Sequence, residues 1–329
     1  MERAFAGRKA WLFSDGKAGN DVQSLGVATA LGLDVTMKPV APEGLHKLLS
    51  PWIAVPRRER FGSPDGKFAP PWPDVAIAIG RLTTPYIRAL KRLAGSRTFT
   101  VILQDPKVSL ATADLFWVPE HDRLRGHNVV TTLTAPHGFT EERLRTLAGA
   151  IPDFLTALPK PRVAILLGGS AGSYKYTPAA LERLSAAIRA FGEAGAGLLV
   201  TPSRRSEPAI VDCAREAAAP FPHVFWDGSG DNPYPAFLAH ADVFLAPADS
   251  INMTGEPCAT GRPVYVFHPD GGSPKFSRFH DALVRHGATR PMPDRLHAIE
   301  TWTYAPLNSA ASIAREIESR GAGARRAAV

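Results

Sequence analysis

The sequence predicts an α/β protein built from two similar halves, each holding a parallel sheet covered on both faces. Two features carry that expectation. Runs such as VAIAIG (75–80) and RVAILLGGS (162–170) are apolar throughout, without the alternation of a half-exposed strand, and helical patterns separate them. The series also runs twice, with Pro152, Pro159 and Pro161 at the joint. A chain of 329 residues suits two domains at roughly 100–200 residues each.

In the first half, KAWLFS (9–14) reads as a strand, DGKAGN (15–20) as a loop and 21–31 as a helix, with Val22, Leu25, Val27 and Leu31 mostly on one side. The strand at 75–80 ends in glycine and leads to a helix over 84–93. TFTVILQDP (98–106) is a strand with a polar end, and LFWVP (115–119) and NVVTTL (128–133) are shorter strands. Residues 140–150 form a helix capped by Thr140, with Leu144, Leu147 and Ile151 at helical spacing. Residues 51–73 break the pattern. Six prolines (Pro51, Pro56, Pro64, Pro70, Pro71 and Pro73) with Arg57, Arg58, Arg60 and Lys67 make a long irregular loop, either a binding loop or a solvated insertion.

The second half repeats the logic. The strand at 162–170 runs into a glycine turn. The helix at 178–191 carries Leu181, Leu184, Ile188 and Phe191 on one stripe, with Thr177 as cap and Pro178 at its first position. Strands at 197–203, 223–227, 242–250 and 262–267 alternate with helices at 207–218 and 234–241, and helices at 276–287 and 309–320 follow. The halves are therefore two Rossmann-like domains, 1–155 and 156–305, with 306–329 as a terminal helix and tail.

The net charge of +7 favours an anionic partner or simply aids solubility. No Lys/Arg run, helix-turn-helix, zinc-finger or RNA-binding signature is present, so no sequence-specific nucleic acid is expected. Cys213 and Cys258 lie outside any CxxC or Cys/His cluster, which suits a reducing compartment and no structural zinc. The first residues lack a signal peptide's apolar core, and no apolar stretch reaches the ~20 residues of a membrane span. A cytoplasmic protein is expected, with peripheral contact to an anionic membrane left open.

Ligands of open parallel sheets sit at the carboxyl ends of the strands, so the residues after each strand matter most. Gly168-Gly169-Ser170-Ala171-Gly172-Ser173 allows close backbone approach and suits phosphate, or is only a tight connection. Ser203-Arg204-Arg205-Ser206 offers two guanidinium forks for a diphosphate, or a solvated surface pair. Asn232, after the turn Asp227-Gly228-Ser229-Gly230, caps a helix or reaches a ligand. The richest stretch runs from Asp249 through Ser250, Asn252, Met253 and Glu256 to Gly261. A short helix is expected to begin near Thr254, with Pro257 in its first turn and Gly261 ending it. Glu256 then accepts ribose hydroxyls or interacts with its own helix N-terminus. In the first half, Lys17 is a phosphate candidate. Asp15 and Asp105 are rival general bases, Asp105-Pro106 being equally a turn starter. His121 and His137 are further possibilities.

The stretch 249–264 resembles the donor half of GT-B glycosyltransferases, and Gly168-Gly169-Ser170 is similar to the glycine turn of the lipid-linked peptidoglycan N-acetylglucosaminyltransferases. Over nearly the whole chain, Trp11, Asp15-Gly16-Lys17-Ala18-Gly19-Asn20, Gln23, Gln104-Asp105-Pro106, Arg204-Arg205, Asn232-Pro233-Tyr234, Asp249-Ser250, Met253 and Glu256 resemble the mitochondrial fission (elongated-mitochondria) family. The chain departs from that pattern at Gly255-Glu256-Pro257, where a Ser-Glu-Ala-like sequence is expected. The high Ala, Arg and Pro content resembles a GC-rich bacterial genome. The resemblance implies a GT-B-like architecture with sheets facing a central cleft and the C-terminal helix crossing back to the first domain. It implies metal-independent sugar transfer from a nucleotide-diphosphate sugar to an unknown acceptor, with no cofactor. In that reading Arg204, Arg205 and the glycine turn hold the diphosphate, Glu256 holds the ribose, and Asp15 or Asp105 takes the acceptor proton. The other reading is a non-catalytic scaffold acting at a membrane surface or on a division partner. A dinucleotide-dependent epimerase fits less well, since GxGxxG spacing and a YxxxK pair are missing.

Overall fold

The computed structural model describes residues 5–63 and 66–326, with side chains to Gly321; Pro64 of the proline-rich loop lies outside the described residues. The chain divides into two compact units, Met1–Gly138 with Asn308–Val329, and Phe139–Leu307.

The first unit contains β1 (Lys9–Ser14), α1 (Ala18–Leu31), β2 (Asp34–Pro39), α2 (Gly44–Leu49), β3 (Val75–Ile79), α3 (Thr84–Ala94), β4 (Phe99–Leu103), β5 (Leu115–Pro119) and β6 (Val129–Thr132). The second contains α4 (Glu141–Ala148), α5 (Asp153–Thr156), β7 (Arg162–Leu167), β8 (Tyr174–Lys175), α6 (Pro178–Glu193), β9 (Gly197–Pro202), α7 (Pro208–Ala218), β10 (His223–Phe225), α8 (Tyr234–His240), β11 (Val243–Pro247), α9 (Ile251–Gly255), β12 (Val264–Phe267), β13 (Asp270–Gly271), α10 (Pro274–His286) and β14 (Thr289–Pro291). The last helix, α11 (Ser309–Arg326), belongs to the first unit.

Each unit has a six-stranded sheet, ordered β2-β1-β3-β4-β5-β6 and β10-β9-β7-β11-β12-β14. All pairings within both are parallel. Strands β3, β5, β7 and β11 are buried along their whole length, the signature of a sheet covered on both sides. The edge strand β2 alternates Val35 and Met37 with polar residues and stays largely exposed, so it lacks the continuous apolar run that marks the central strands.

Registers set where the chemistry sits. In the first sheet, Phe13 pairs with Ala78 and Ile79 with Leu103, so β1, β3 and β4 end level and release Asp15, Gly80 and Gln104 on one edge. In the second, Leu167 pairs with Pro202 and Ile165 with Leu245, so β7, β9 and β11 also end level. Chain direction through each sheet reverses between β1 and β3 and between β7 and β11. Such switch points open a crevice at the carboxyl edge, where open α/β sheets place their ligands.

Helices pack as their stripes dictate. On α6, Leu184, Ala187, Ile188 and Phe191 join the core with Val163, Leu198 and Leu245. Thr177 caps it, accepting the Ala180 N–H at 3.2 Å. The dividing point at 138/139 precedes the one expected at 155/156, because α4 packs on α8. His240 Nε2 donates to the carbonyls of Leu147 and Ala150 at 3.2 and 3.1 Å. Arg162 likewise holds α5 by donating to the Leu155 carbonyl at 2.9 Å. Helix α11 packs on α1, buries Ala310, Ile313 and Ile317, and joins Ser309 Oγ to Thr134 Oγ1 at 2.7 Å.

Phe191 is fully buried in the second unit's core. Phe191→Ala should lower that unit's unfolding free energy by about 3–5 kcal/mol, measured as a shift of its urea midpoint at unchanged slope.

Candidate functional site

At the second unit's switch point, the turn after β7 meets the segment after β11. Asp249 follows β11, and its side chain is wholly buried. A carboxylate there must be met by donors or become too costly to keep charged. It has three: Gly169 N–H at 3.2 Å, Tyr176 O–H at 2.9 Å and Arg205 Nη2 at 3.0 Å. The two glycines are required by this closeness. A Cβ on Gly168 would collide with the Asp249 carboxylate and the Tyr176 hydroxyl, and one on Gly169 with the Arg205 carbonyl. Ser206 ties the third segment in, donating to the carbonyls of Leu167 and Gly168 at 2.9 and 2.7 Å. Ser170, exposed on the turn, accepts the Tyr176 N–H at 3.2 Å and donates to Glu207 at 3.1 Å. The segments 168–173, 203–206 and 249–250 thus form one surface.

This arrangement divides the sequence candidates. Asp249 points inward and fastens the turn. Arg205 is oriented by Asp249 while remaining partly open to solvent. Arg204 is exposed and makes no ion pair among the described residues. The Tyr176 hydroxyl is held in its neutral form, its pKa raised by burial and by the Asp249 charge. Sequence reasoning missed Tyr176; its only signal was its nearness to the glycine turn.

The helix expected near Thr254 starts three residues earlier. Ser250 Oγ accepts the Met253 N–H at 3.3 Å and so caps α9 at Ile251. Thr254 is then interior, its hydroxyl bonded to the Pro247 carbonyl at 3.0 Å, and Pro257 opens a following 3₁₀ turn that Gly261 ends with φ +71°. Asn252 and Met253 lie partly buried on α9. Glu256 has a partly open residue surface, but its carboxyl is desolvated and accepts the Tyr234 O–H at 2.6 Å. Desolvation raises its pKa to about 7, against the lowering effect of that hydrogen bond. Asn232 closes a local turn ahead of α8, its Oδ1 accepting the Tyr234 N–H at 3.0 Å, and the helix itself, preceded by Pro233, has no side-chain cap.

The remaining candidates lie in the first unit. Asp15 is nearly buried and accepts from Asn20 Nδ2 at 3.0 Å and Lys17 N–H at 3.3 Å, with Lys17 Nζ at 3.0 Å. Lys17 is therefore paired within its own loop. Asp105 is similarly enclosed, accepting the Lys107 N–H at 2.8 Å and pairing with the Lys107 ammonium. Gln104 and Lys107 flank it with φ of +69° and +61°, the only non-glycine residues so strained among those described. Such strain concentrates at functional sites. Gln104 Nε2 reaches Gln23 Oε1 at 3.4 Å, linking β4's end to α1. His137 is buried, with its pKa lowered to about 4 by desolvation, and His121 is also buried. Among the described residues no group of three or more His, Cys, Asp or Glu gathers as metal ligands, and no helix is long and apolar enough to cross a membrane.

The two parallel sheets and their order define a protein of GT-B-like fold. The chain is similar to the UDP-GlcNAc 2-epimerase of Methanocaldococcus jannaschii over 94% of its length and 99% of that chain, with a TM-score of 0.52 and 9% identity. A complex of that organism's epimerase with UDP-GlcNAc and UDP aligns over 94% and 98%, at TM-score 0.52 and 12% identity. Os79 from O. sativa in complex with UDP aligns over 97% and 94%, at TM-score 0.51 and 12% identity. At such identities the likeness speaks for the fold alone. Residues 18–320 match the family model described as mitochondrial fission ELM1, and the chain belongs to that family. It is 29% identical over 277 residues to the mitochondrial fission protein ELM1 of Arabidopsis thaliana, covering 76% of this chain and 65% of the plant protein's length. A protein of Rickettsia prowazekii (strain Madrid E) is 23% identical over 348 residues, covering 94% of this chain and 97% of its own.

Asp249→Ala should remove about 1–3 kcal/mol for each of its donors left unpaired, read by urea unfolding. Glu256 gives a pH signature. Its folded pKa lies above the ordinary 4.5, so the folded state holds the proton more tightly. Its contribution to stability is therefore lost as pH rises from about 4.5 through 7, up to ~3 kcal/mol. Glu256→Gln should flatten the fall in melting temperature between pH 5 and 8, and an unchanged slope would contradict the assignment.

Proposed function

We propose that the second unit binds a nucleoside-diphosphate sugar and that the protein transfers the sugar, without a metal, to an acceptor hydroxyl. The observation that carries this reading is the single surface made by the Gly168-Gly169 turn, Arg204-Arg205 and the start of α9 at the β7/β11 switch point. Arg205, aimed by Asp249, and Arg204, unpaired among the described residues, supply the positive charge that a departing diphosphate needs. In this reading Ser250, which caps α9, and Asn252 and Met253 in its first turn also meet the nucleotide. Glu256, with one carboxylate oxygen taken by Tyr234, keeps the other for a ribose hydroxyl. In this reading Asp15 or Asp105 of the first unit accepts the acceptor's proton, and each must first release its lysine partner.

That engagement favours a second reading, in which the nucleotide site persists on a scaffold without turnover. Fission-related activity of the plant relative comes to this chain only as part of that reading. The protein would act in the cytoplasm in either case.

Calorimetry with UDP-, GDP- and ADP-sugars tests binding. One of them should bind, and Arg204→Ala should weaken it about 10-fold or more, as expected for a lost charge-assisted contact. Absence of heat with all three removes both readings. Donor hydrolysis that Asp15→Asn or Asp105→Asn abolishes selects the enzyme. Binding without hydrolysis selects the scaffold.

A further inference from the structure

Helix α2 carries Leu45, Leu48 and Leu49 at positions i, i+3 and i+4, the spacing of one helical face, and Trp52 follows just beyond its end. A face of this kind normally packs on a core. Here these side chains are 68%, 69%, 45% and 67% exposed, and α2 buries none of its residues. The segment is firmly held all the same. Arg81 donates to the carbonyls of Leu48 and Ser50 at 3.3 and 3.0 Å, and Arg88 to those of Pro51 and Trp52 at 2.9 and 3.3 Å. The Trp52 indole N–H donates to the Lys107 carbonyl at 3.3 Å. The fold therefore fixes an apolar stripe outward.

Cations are enriched in this stretch of the chain and lie beside Trp52. Between positions 38 and 67 there are six Lys/Arg against three Asp/Glu. Glu43 pairs with Arg58 and Glu59 takes the Tyr86 hydroxyl, while Asp65 lies outside the described residues. A cavity of about 620 Å³ beside Trp52 is walled by Val55, Phe61 and Leu93 and edged by Arg60, Arg88 and Arg92. A second, of about 400 Å³, is lined by Arg57, Arg58, Arg60 and Lys67. Arg57, Arg60 and Arg92 form no ion pair among the described residues.

We propose that this face docks the protein on the surface of an anionic lipid bilayer. Leucine and tryptophan side chains enter the boundary between head groups and acyl chains, and the nearby arginines and lysines meet lipid phosphates and carboxylates. Four protruding apolar side chains in a cation-rich stretch, with arginines beside Trp52, suit a fluid, negatively charged interface better than a shaped protein groove. Arg81 and Lys107, which anchor the segment, follow β3 and β4, so docking brings the carboxyl edge of the first sheet, with Asp15 and Asp105, toward the bilayer. The inference is independent of the donor-site reading.

Co-sedimentation of the full chain with phosphatidylcholine vesicles, and with vesicles that also contain phosphatidylserine, tests it. Binding is expected on the anionic vesicles, weakening as salt rises. Leu45→Glu with Leu48→Glu should reduce it about tenfold or more, with circular dichroism and melting temperature unchanged. The control pair Ile151→Glu with Val284→Glu makes the same charge change at exposed apolar positions of the second unit and should bind as the parent does. Equal loss in the control pair, equal binding to neutral vesicles, or no binding to either overturns the proposal. So does a parent dimer, seen by sedimentation equilibrium, that the Leu45/Leu48 pair disrupts while neither protein binds vesicles.

Discussion

A carboxylate stripped of water needs donors from its surroundings, and Asp249 takes them from three separate elements: the turn after β7, the strand β8 region through Tyr176, and the loop after β9 through Arg205. The second unit's site depends on this contact. It sets the height of the glycine turn, aims one guanidinium and adds to the burial that keeps the Tyr176 hydroxyl neutral. It also explains why residues 168 and 169 tolerate no side chain, since the carboxylate and the Arg205 backbone occupy that space. The negative charge at the heart of the surface partly offsets Arg205, and the exposed Arg204 beside it carries a further positive charge.

The sheets decide where such a contact can form. Parallel strands that end level leave their following loops on one edge, and a reversal of chain direction separates the loops enough to open a crevice. Both units follow this plan with different chemistry. The second lines its edge with glycine, arginine and a helix start. The first lines its edge with two enclosed aspartates and the strained pair Gln104 and Lys107. Backbone held at positive φ in glutamine and lysine costs free energy, and the Gln104–Gln23 and Lys107–Asp105 contacts help to offset it.

The first unit also carries a surface whose local pattern and global placement disagree. The stripe on α2 has the periodicity of a core-facing helix, yet Arg81 and Arg88 clamp its backbone so that the stripe looks outward. Conflict between a local pattern and its environment is one of the marks of a functional surface.

Much of the architecture follows from local order alone. Continuous apolar runs define the buried strands because a sheet covered on both faces leaves few positions for a polar residue, Thr100 and Thr201 being buried exceptions. Thr140 and Thr177 cap their helices because a side-chain oxygen satisfies an end N–H within three residues. The glycine turn and the arginine pair were legible for the same reason, as local punctuation at strand ends. The sequence could not show that Asp249 faces inward, that Tyr176 meets it across 73 residues of chain, or that Glu256 lies against Tyr234. Nor could it show that α4 joins the second unit or that α2 turns its apolar stripe outward. These depend on contacts between segments far apart in sequence. Tertiary structure decides them because only packing determines which charges lose their water and which apolar side chains keep it.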